Sequence, residues 1–251
     1  MLSLEALILL PLVALLAGFI DTLAGGGGLL TVPALTLAGL NPALALGTNK
    51  LQSSCGTLTA TLSFMRAGRI RSAVLGEALL SCGLGAALGA ATAMLLPAGW
   101  LQLIIPLLLL AIGLILLALP RLGEVVKPPR LSSRAFLLAV ALPLGFYDGF
   151  LGPGTGSFLL LALVLLQGYS LQQATMEAKT YNLLTNLVAL LLFASSGQVL
   201  WSVGLLMGLG QMVGARLAAR LVLLKGNRLI RPVAIGVSMA MSLLLMYRYW
   251  F

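Results

Sequence analysis

Four charged side chains, Asp21, Lys50, Asp148 and Lys179, fall within apolar segments at positions where their chemistry would converge. Asp21 and Asp148 each precede a glycine-rich stretch, Gly25-Gly26-Gly27-Gly28 in one case and Gly152-Pro153-Gly154-Thr155-Gly156 in the other; Lys50 and Lys179 follow on hydrophobic segments. A helix that starts after such a stretch presents unpaired N–H groups and the positive end of its dipole, and glycine lets a ligand approach the backbone closely. That geometry suits a small anion. The expected contacts are the main chain of Gly26, Gly27, Gly28, Gly154, Thr155 and Gly156, the charges of Lys50 and Lys179, and hydrogen bonds from Asn49, Ser53, Thr57, Asn182 and Asn186. The competing reading is that the glycines pack helices tightly and the lysines snorkel to a surface.

The lysines do not stand alone. Lys50, Ser53, Ser54, Thr57 and Thr61 recur at spacings of three and four, so they share one helical face, and Thr175, Lys179, Asn182 and Asn186 repeat the pattern. An ionised group at a bilayer centre costs at least ~2.5–3.5 kcal/mol, so these faces are expected to line a cavity. For Asp21 and Asp148 three roles are open: pairing with the lysines, bracing the loops by accepting N–H bonds, or carrying a coupling proton. Glu177 breaks the symmetry, because Thr48 stands at the matching position; a step needing a distinct protonatable group would use it first. Arg216, about two turns from the end of its segment, is a candidate for balancing substrate charge. Glu77 is a candidate partner for the loop arginines.

The elements that must position these residues come in two copies. Gly18-Phe19-Ile20-Asp21 returns as Gly145-Phe146-Tyr147-Asp148 at an offset of 127. Ala67-Gly68-Arg69-Ile70 then matches Ser196-Gly197-Gln198-Val199, and Leu84-Gly85-Ala86 matches Val213-Gly214-Ala215, at the offset of 129 that also relates Lys50 to Lys179. Two extra residues near Gln167 absorb the difference. A duplicated unit with a glycine break at the same place in both copies points to a secondary transporter with its site between the repeats.

Composition sets the medium. Hydrophobic residues make up 60% of the 251 and charged residues 8%, against about a quarter charged in soluble domains. The net charge of +9 gathers in a few short loops and forms no continuous basic face, which argues against nucleic acid. Ten apolar segments follow: Leu4–Ala24, Leu29–Gly39, Pro42–Met65, Ser72–Leu96 and Trp100–Leu119, then Ala135–Leu151, Ser157–Gln167, Ala174–Ser195, Leu200–Leu224 and Pro232–Trp250. The second and seventh cover only about half of a ~30 Å hydrocarbon core and read as half-helices. The fold class expected is all-α, a polytopic membrane protein of two inverted repeats with about eight full spans. Residues 1–120 form one repeat, 121–134 a cytoplasmic linker and 135–251 the other.

Short loops rich in Lys and Arg stay in the cytoplasm. Arg66, Arg69 and Arg71 mark one such loop, Arg121, Lys127, Arg130 and Arg134 the linker, and Lys225, Arg228 and Arg231 a third; the turns at Pro97-Ala98-Gly99 and Gly197-Gln198 carry none. Both termini are then outside the cytoplasmic membrane, with the repeats antiparallel. Met1–Leu10 lacks a basic start, so no signal peptide is expected.

Other chemistries are poorly supplied. With no His and two Cys, Cys55 and Cys82, both inside predicted helices, neither a metal nor a cofactor is expected. Gly208-Leu209-Gly210-Gln211-Met212-Val213-Gly214 lies within an apolar helix and is not a dinucleotide turn, and no phosphate-binding Gly-Lys-Ser/Thr loop occurs. An enzyme lacks a nucleophile–base pair.

Residues Gly18 through Pro33, followed by Gly39-Leu40-Asn41-Pro42 and Ala45-Leu46-Gly47-Thr48-Asn49-Lys50, resemble the first-repeat signature of the TauE/SafE sulfite exporter family; Gly145 to Gly156 resembles its second-repeat counterpart. The resemblance implies export or uptake of small sulfur-containing or carboxylate anions such as sulfite, sulfonates or related organic anions; the inverted repeats read as a transporter working by alternating access, one repeat rocking against the other around a midplane anion. Pro153 and Thr155 depart from the all-glycine first break. An anion channel and a non-transport scaffold subunit are the alternatives. A coupling proton or cation, the bilayer and a second copy in a homo-oligomer complete the expected partners.

Overall fold

The computed structural model describes residues 4–70, 76, 79–95, 107, 110–111, 114–115, 117–119 and 122–250. Glu77, Arg71, the Pro97–Gly99 turn and most of the fifth predicted segment lie outside these. The described residues are all-helical, without strands. In order they form α1 (Leu4–Ala24), α2 (Gly28–Leu37), α3 (Pro42–Arg66), α4 (Leu84–Ala93, entered through a π turn, Leu79–Gly83), α5 (Leu142–Phe150, entered through Ser133–Phe136 and a π turn, Leu137–Ala141), α6 (Thr155–Leu166), α7 (Leu171–Ser195), α8 (Trp201–Lys225) and α9 (Asn227–Trp250).

Local chemistry sets these ends. Asn41 caps α3 by accepting from the Leu44 N–H at 2.9 Å, with Pro42 at the first position, where its missing N–H is harmless. Ser170, at the matched position 129 residues on, caps α7 through the Gln173 N–H at 3.2 Å. Gly154, at φ +87°, lets the chain turn sharply into α6. The expected half-helices are α2 and α6, of 10 and 12 residues. α9 starts five residues before the predicted Pro232, because the chain turns at Gly226 and Pro232 is tolerated in the second turn.

Two helices, Leu7–Ala24 and Trp201–Lys225, are long and apolar enough to cross a membrane unaided among the described residues, fewer than the eight spans expected. α3 and α7 have the length, 25 residues each, or about 37 Å at ~1.5 Å per residue. Their polar faces lower their hydropathy.

The packing exchanges helices between the two halves of the sequence: α1 lies on α8, and α5 lies on α4. Glycines allow both contacts. A Cβ at Gly214 would overlap the Leu15 carbonyl oxygen and come within 2.8 Å of the Phe19 nitrogen; one at Gly85 would overlap the Leu142 oxygen and come within 2.7 Å of the Phe146 nitrogen. Gly18 against the Gln211 main chain and Gly145 against the Cys82 main chain form a second matched set. The outward faces match as well: Leu80, Leu84 and Leu88 on one side and Leu209, Val213 and Leu217 on the other are all exposed. Large exposed leucines and valines thus surround an interior that holds apolar clusters together with a buried polar set, Lys50, Asn49, Asp148, Lys179 and Asn182 among it.

Two of the expected cytoplasmic loops, the linker and the turn before α9, meet each other and the start of α7. Asn227 donates from Nδ2 to the Gly123 carbonyl at 2.8 Å and accepts from the Gln172 N–H at 2.9 Å, while Arg231 donates to the Leu119 and Leu122 carbonyls. The Lys127 N–H reaches the Gly168 carbonyl at 2.8 Å.

Candidate functional site: a closed hollow between two glycine breaks

Both breaks meet in the interior. The Ser157 hydroxyl, in the first turn of α6, donates to the Ala24 carbonyl at 2.6 Å, and its N–H lies 3.3 Å from the Gly25 carbonyl oxygen. A Cβ on Gly25 would overlap Gly156, and one on Gly28 would sit 3.3 Å from Pro153 Cα. Gly25 and Gly152, again 127 residues apart, turn the chain at φ +82° and +88°. Such dihedrals favour glycine.

Between the breaks lies a hollow lined by Asp21, Gly25, Gly28, Asn49, Lys50, Ser53, Asp148, Gly152, Gly154, Gly156, Asn182 and Asn186. Its cavity volume of about 20 Å³ is room for about one water molecule. The N–H groups of Gly28 and Gly156, in the first turns of α2 and α6, have no main-chain acceptor among the described residues. These are the groups a helix start offers to an anion.

The charges are paired across the halves. Lys50 Nζ donates to Asp148 Oδ1 at 3.0 Å and to the Asp148 carbonyl at 2.6 Å; Lys179 Nζ donates to Asp21 Oδ2 at 2.8 Å. Each lysine is 1% exposed, so neither snorkels. The Lys50 ammonium runs so close under the Gly152 turn that a Cβ there would stand 2.9 Å from Nζ. Burying such ions is expensive unless they are paired and hydrogen-bonded. Asp21 braces its break too, accepting the Gly27 N–H at 3.2 Å on Oδ1. Thr155 has its hydroxyl 3.0 Å from Asp148 Oδ1.

The polar faces of α3 and α7 point inward: Lys50, Ser53, Ser54, Thr57, Thr61, Thr175, Lys179, Asn182 and Asn186 are all buried. They are not equivalent. Asn49, Ser53, Asn182 and Asn186 line the hollow; Thr57 turns back on its own helix, donating to the Ser53 carbonyl at 2.8 Å. Asn49 Oδ1 accepts from the Thr31 hydroxyl at 2.7 Å and from Gln52 Nε2 at 2.9 Å, which fixes its orientation. Gly26 faces Val237 of α9, the Gly27 N–H is taken by Asp21, the Thr155 hydroxyl lies between the Gly152 carbonyl at 2.8 Å and Asp148 Oδ1 at 3.0 Å, and Lys179 is held by Asp21, so these four expected contacts lie outside the lining. Gly25 and Gly152 were not among the expected residues; their matched positions in the repeat were the available signal. Glu177 is buried outside the lining, with Gln173 Nε2 3.4 Å from its carboxylate. Arg216 stands on the exposed face of α8 with Met212 and Val213, away from the hollow. Cys82 is buried with Sγ 2.9 Å from the Ala141 carbonyl oxygen, and Cys55 is half-buried.

Comparison with known proteins gives the chain its family. The sulfite exporter TauE/SafE family matches residues 10–245. A protein of Haemophilus influenzae named "Probable membrane transporter protein" is 43% identical over 250 residues, covering 99% of this chain and 98% of its own. The Escherichia coli K12 "Probable membrane transporter protein YfcA" is 46% identical over 235 residues, covering 94% and 87%, and the Sinorhizobium "Probable membrane transporter protein ORF9" is 43% identical over 246 residues, covering 98% and 94%. No solved structure matches the chain. A match through almost the whole sequence, together with relatives at 43–46% identity that are covered over most of their length, makes this chain a membrane protein of the sulfite exporter TauE/SafE family.

Proposed function

We propose that the protein is a secondary transporter of small anions, such as sulfite, sulfonates or related organic anions, and that it moves them across the cytoplasmic membrane by alternating access. The observation that carries this reading is the hollow itself: a buried ammonium, Lys50, and two helix-start N–H groups without a main-chain acceptor among the described residues, Gly28 and Gly156, converge there from both halves of the chain. Asn49, Ser53, Asn182 and Asn186 would orient the anion's oxygens. Lys179, outside the lining, pairs with Asp21 and offsets that carboxylate's charge beside the hollow. The family match and the names of the relatives support transport over catalysis.

The two halves are proposed to be inverted repeats that rock against each other. Matched glycine contacts, matched outward faces and the crosswise ion pairs support that reading. In the closed state the hollow admits about a water molecule, so the lysine–aspartate pairs must part as the anion enters. A space that small favours a carrier over an open channel. The Lys- and Arg-bearing loops around Asn227 and Arg231 would face the cytoplasm, and both termini would then lie outside.

Purified protein in liposomes tests this with labelled sulfite, methanesulfonate and sulfoacetate. Saturable uptake that unlabelled anion accelerates from the opposite side supports the carrier. Uptake without that acceleration indicates a channel, and no anion flux at all removes the reading.

A further inference from the structure

We propose that Asp148 takes up one proton for each monoanion carried, whereas Asp21 serves as a brace; this rests on the anion-carrier reading above. The two aspartates hold matched positions and use their oxygens differently. Asp21 has both engaged, Oδ2 by Lys179 and Oδ1 by the Gly27 N–H, and its side chain is 16% exposed. On Asp148, Lys50 and the Thr155 hydroxyl both lie against Oδ1, while Oδ2 is buried without a hydrogen-bond partner among the described residues and the side chain is 4% exposed. An ionised oxygen buried without a donor is unfavourable. A proton on Oδ2 removes the charge and turns that oxygen into a donor.

Charge balance gives the proton its role. Two lysines and two aspartates sum to zero, so a monoanion entering alone would leave the buried site net negative. One proton from water on the more acidic side forms the O–H bond at Asp148 Oδ2 and releases the Lys50 ammonium to the anion. When the anion leaves on the other side, the ammonium returns to Asp148 and the proton goes to water there. The groups facing Asp148 are Lys50 from α3, Cys82 from the π turn before α4, Tyr147 on its own helix, and Asp21 with Lys179 across the hollow. From α6 the Thr155 hydroxyl lies 3.0 Å from Asp148 Oδ1 and 2.8 Å from the Gly152 carbonyl. Cys82 already has the Ala141 carbonyl as acceptor and Tyr147 the Pro153 carbonyl, so neither replaces Asp148 as the carrier. Glu177 on α7 lies outside the lining.

The test uses methanesulfonate, a permanent monoanion, in liposomes with the membrane potential clamped at zero and the outside made more acidic. The wild type accumulates methanesulfonate about tenfold per pH unit. D148N exchanges it without accumulation, at a ratio of one, and whatever flux D21N retains keeps the wild-type ratio. A second measurement needs no variant: an indicator dye inside wild-type liposomes reports acidification by one proton per anion taken up. Accumulation by D148N equal to the wild type, or uptake without acidification, overturns this proposal and leaves the carrier intact. A wild type that exchanges no anion overturns both.

Discussion

Lys50 and Asp148, separated by 98 residues in sequence, meet at 3.0 Å in the protein interior, and Lys179 and Asp21, separated by 158, repeat the exchange at 2.8 Å. Each half of the chain thus supplies the counter-ion of the other. The pairs stabilise the closed arrangement only while both partners are present, since removing one leaves an uncompensated buried charge.

Lys50→Met is therefore expected to destabilise the protein by about 3–5 kcal/mol, and the double variant K50M/D148N to recover most of that. Thermal unfolding of the purified variants reads both. Equal stability of single and double variants would mean that the pair is not coupled.

Small residues at the exchanged helix contacts carry a second expectation. Gly214→Ala and Gly85→Ala push a methyl group into the main chain of the facing helix, and overpacking of this kind costs about 1–3 kcal/mol. Gly236→Ala in α9 meets nothing within 4 Å and gains about 0.5–1 kcal/mol. Unfolding midpoints of the three variants should move in these opposite directions.

Gly25→Ala and Gly152→Ala combine a left-handed dihedral with a close neighbour, Gly156 in one case and the Lys50 ammonium in the other. Both are expected to lower anion flux at least tenfold. Gly39→Ala shares the positive φ and meets nothing within 4 Å, so it bears the backbone strain of about 1–2 kcal/mol and keeps its flux. Transport rates per folded molecule separate the cases.

Arg216 stands among exposed residues of α8. Arg216→Gln is expected to leave flux within about twofold of the wild type, whereas Lys179→Gln abolishes it. Liposome uptake measured side by side distinguishes a charge on the outer face from one that holds the site together.

Much of this was legible in the sequence because local signals determine it. α1 runs over Leu4–Ala24 as its apolar span predicts, and the half-lengths of α2 and α6 follow from the glycine runs that precede them. The inward faces of α3 and α7 follow from spacings of three and four. The crosswise pairing was not legible, because a contact spanning 98 or 158 residues leaves no periodicity. Nor was the choice among the glycines: Gly25 and Gly152 reach the hollow and Gly26 does not, which depends on backbone dihedrals set by the partner break. Thr57 looked like a ligand group and is satisfied by its own helix.

The central claim is that an anion is held between the halves beside Lys50. Counterflow of labelled methanesulfonate through liposomes containing K50M/D148N, whose hollow is uncharged at that pair, tests it most directly. The account predicts acceleration by unlabelled anion in the wild type and none in the double variant at equal folded protein; counterflow of the same size in both would contradict it.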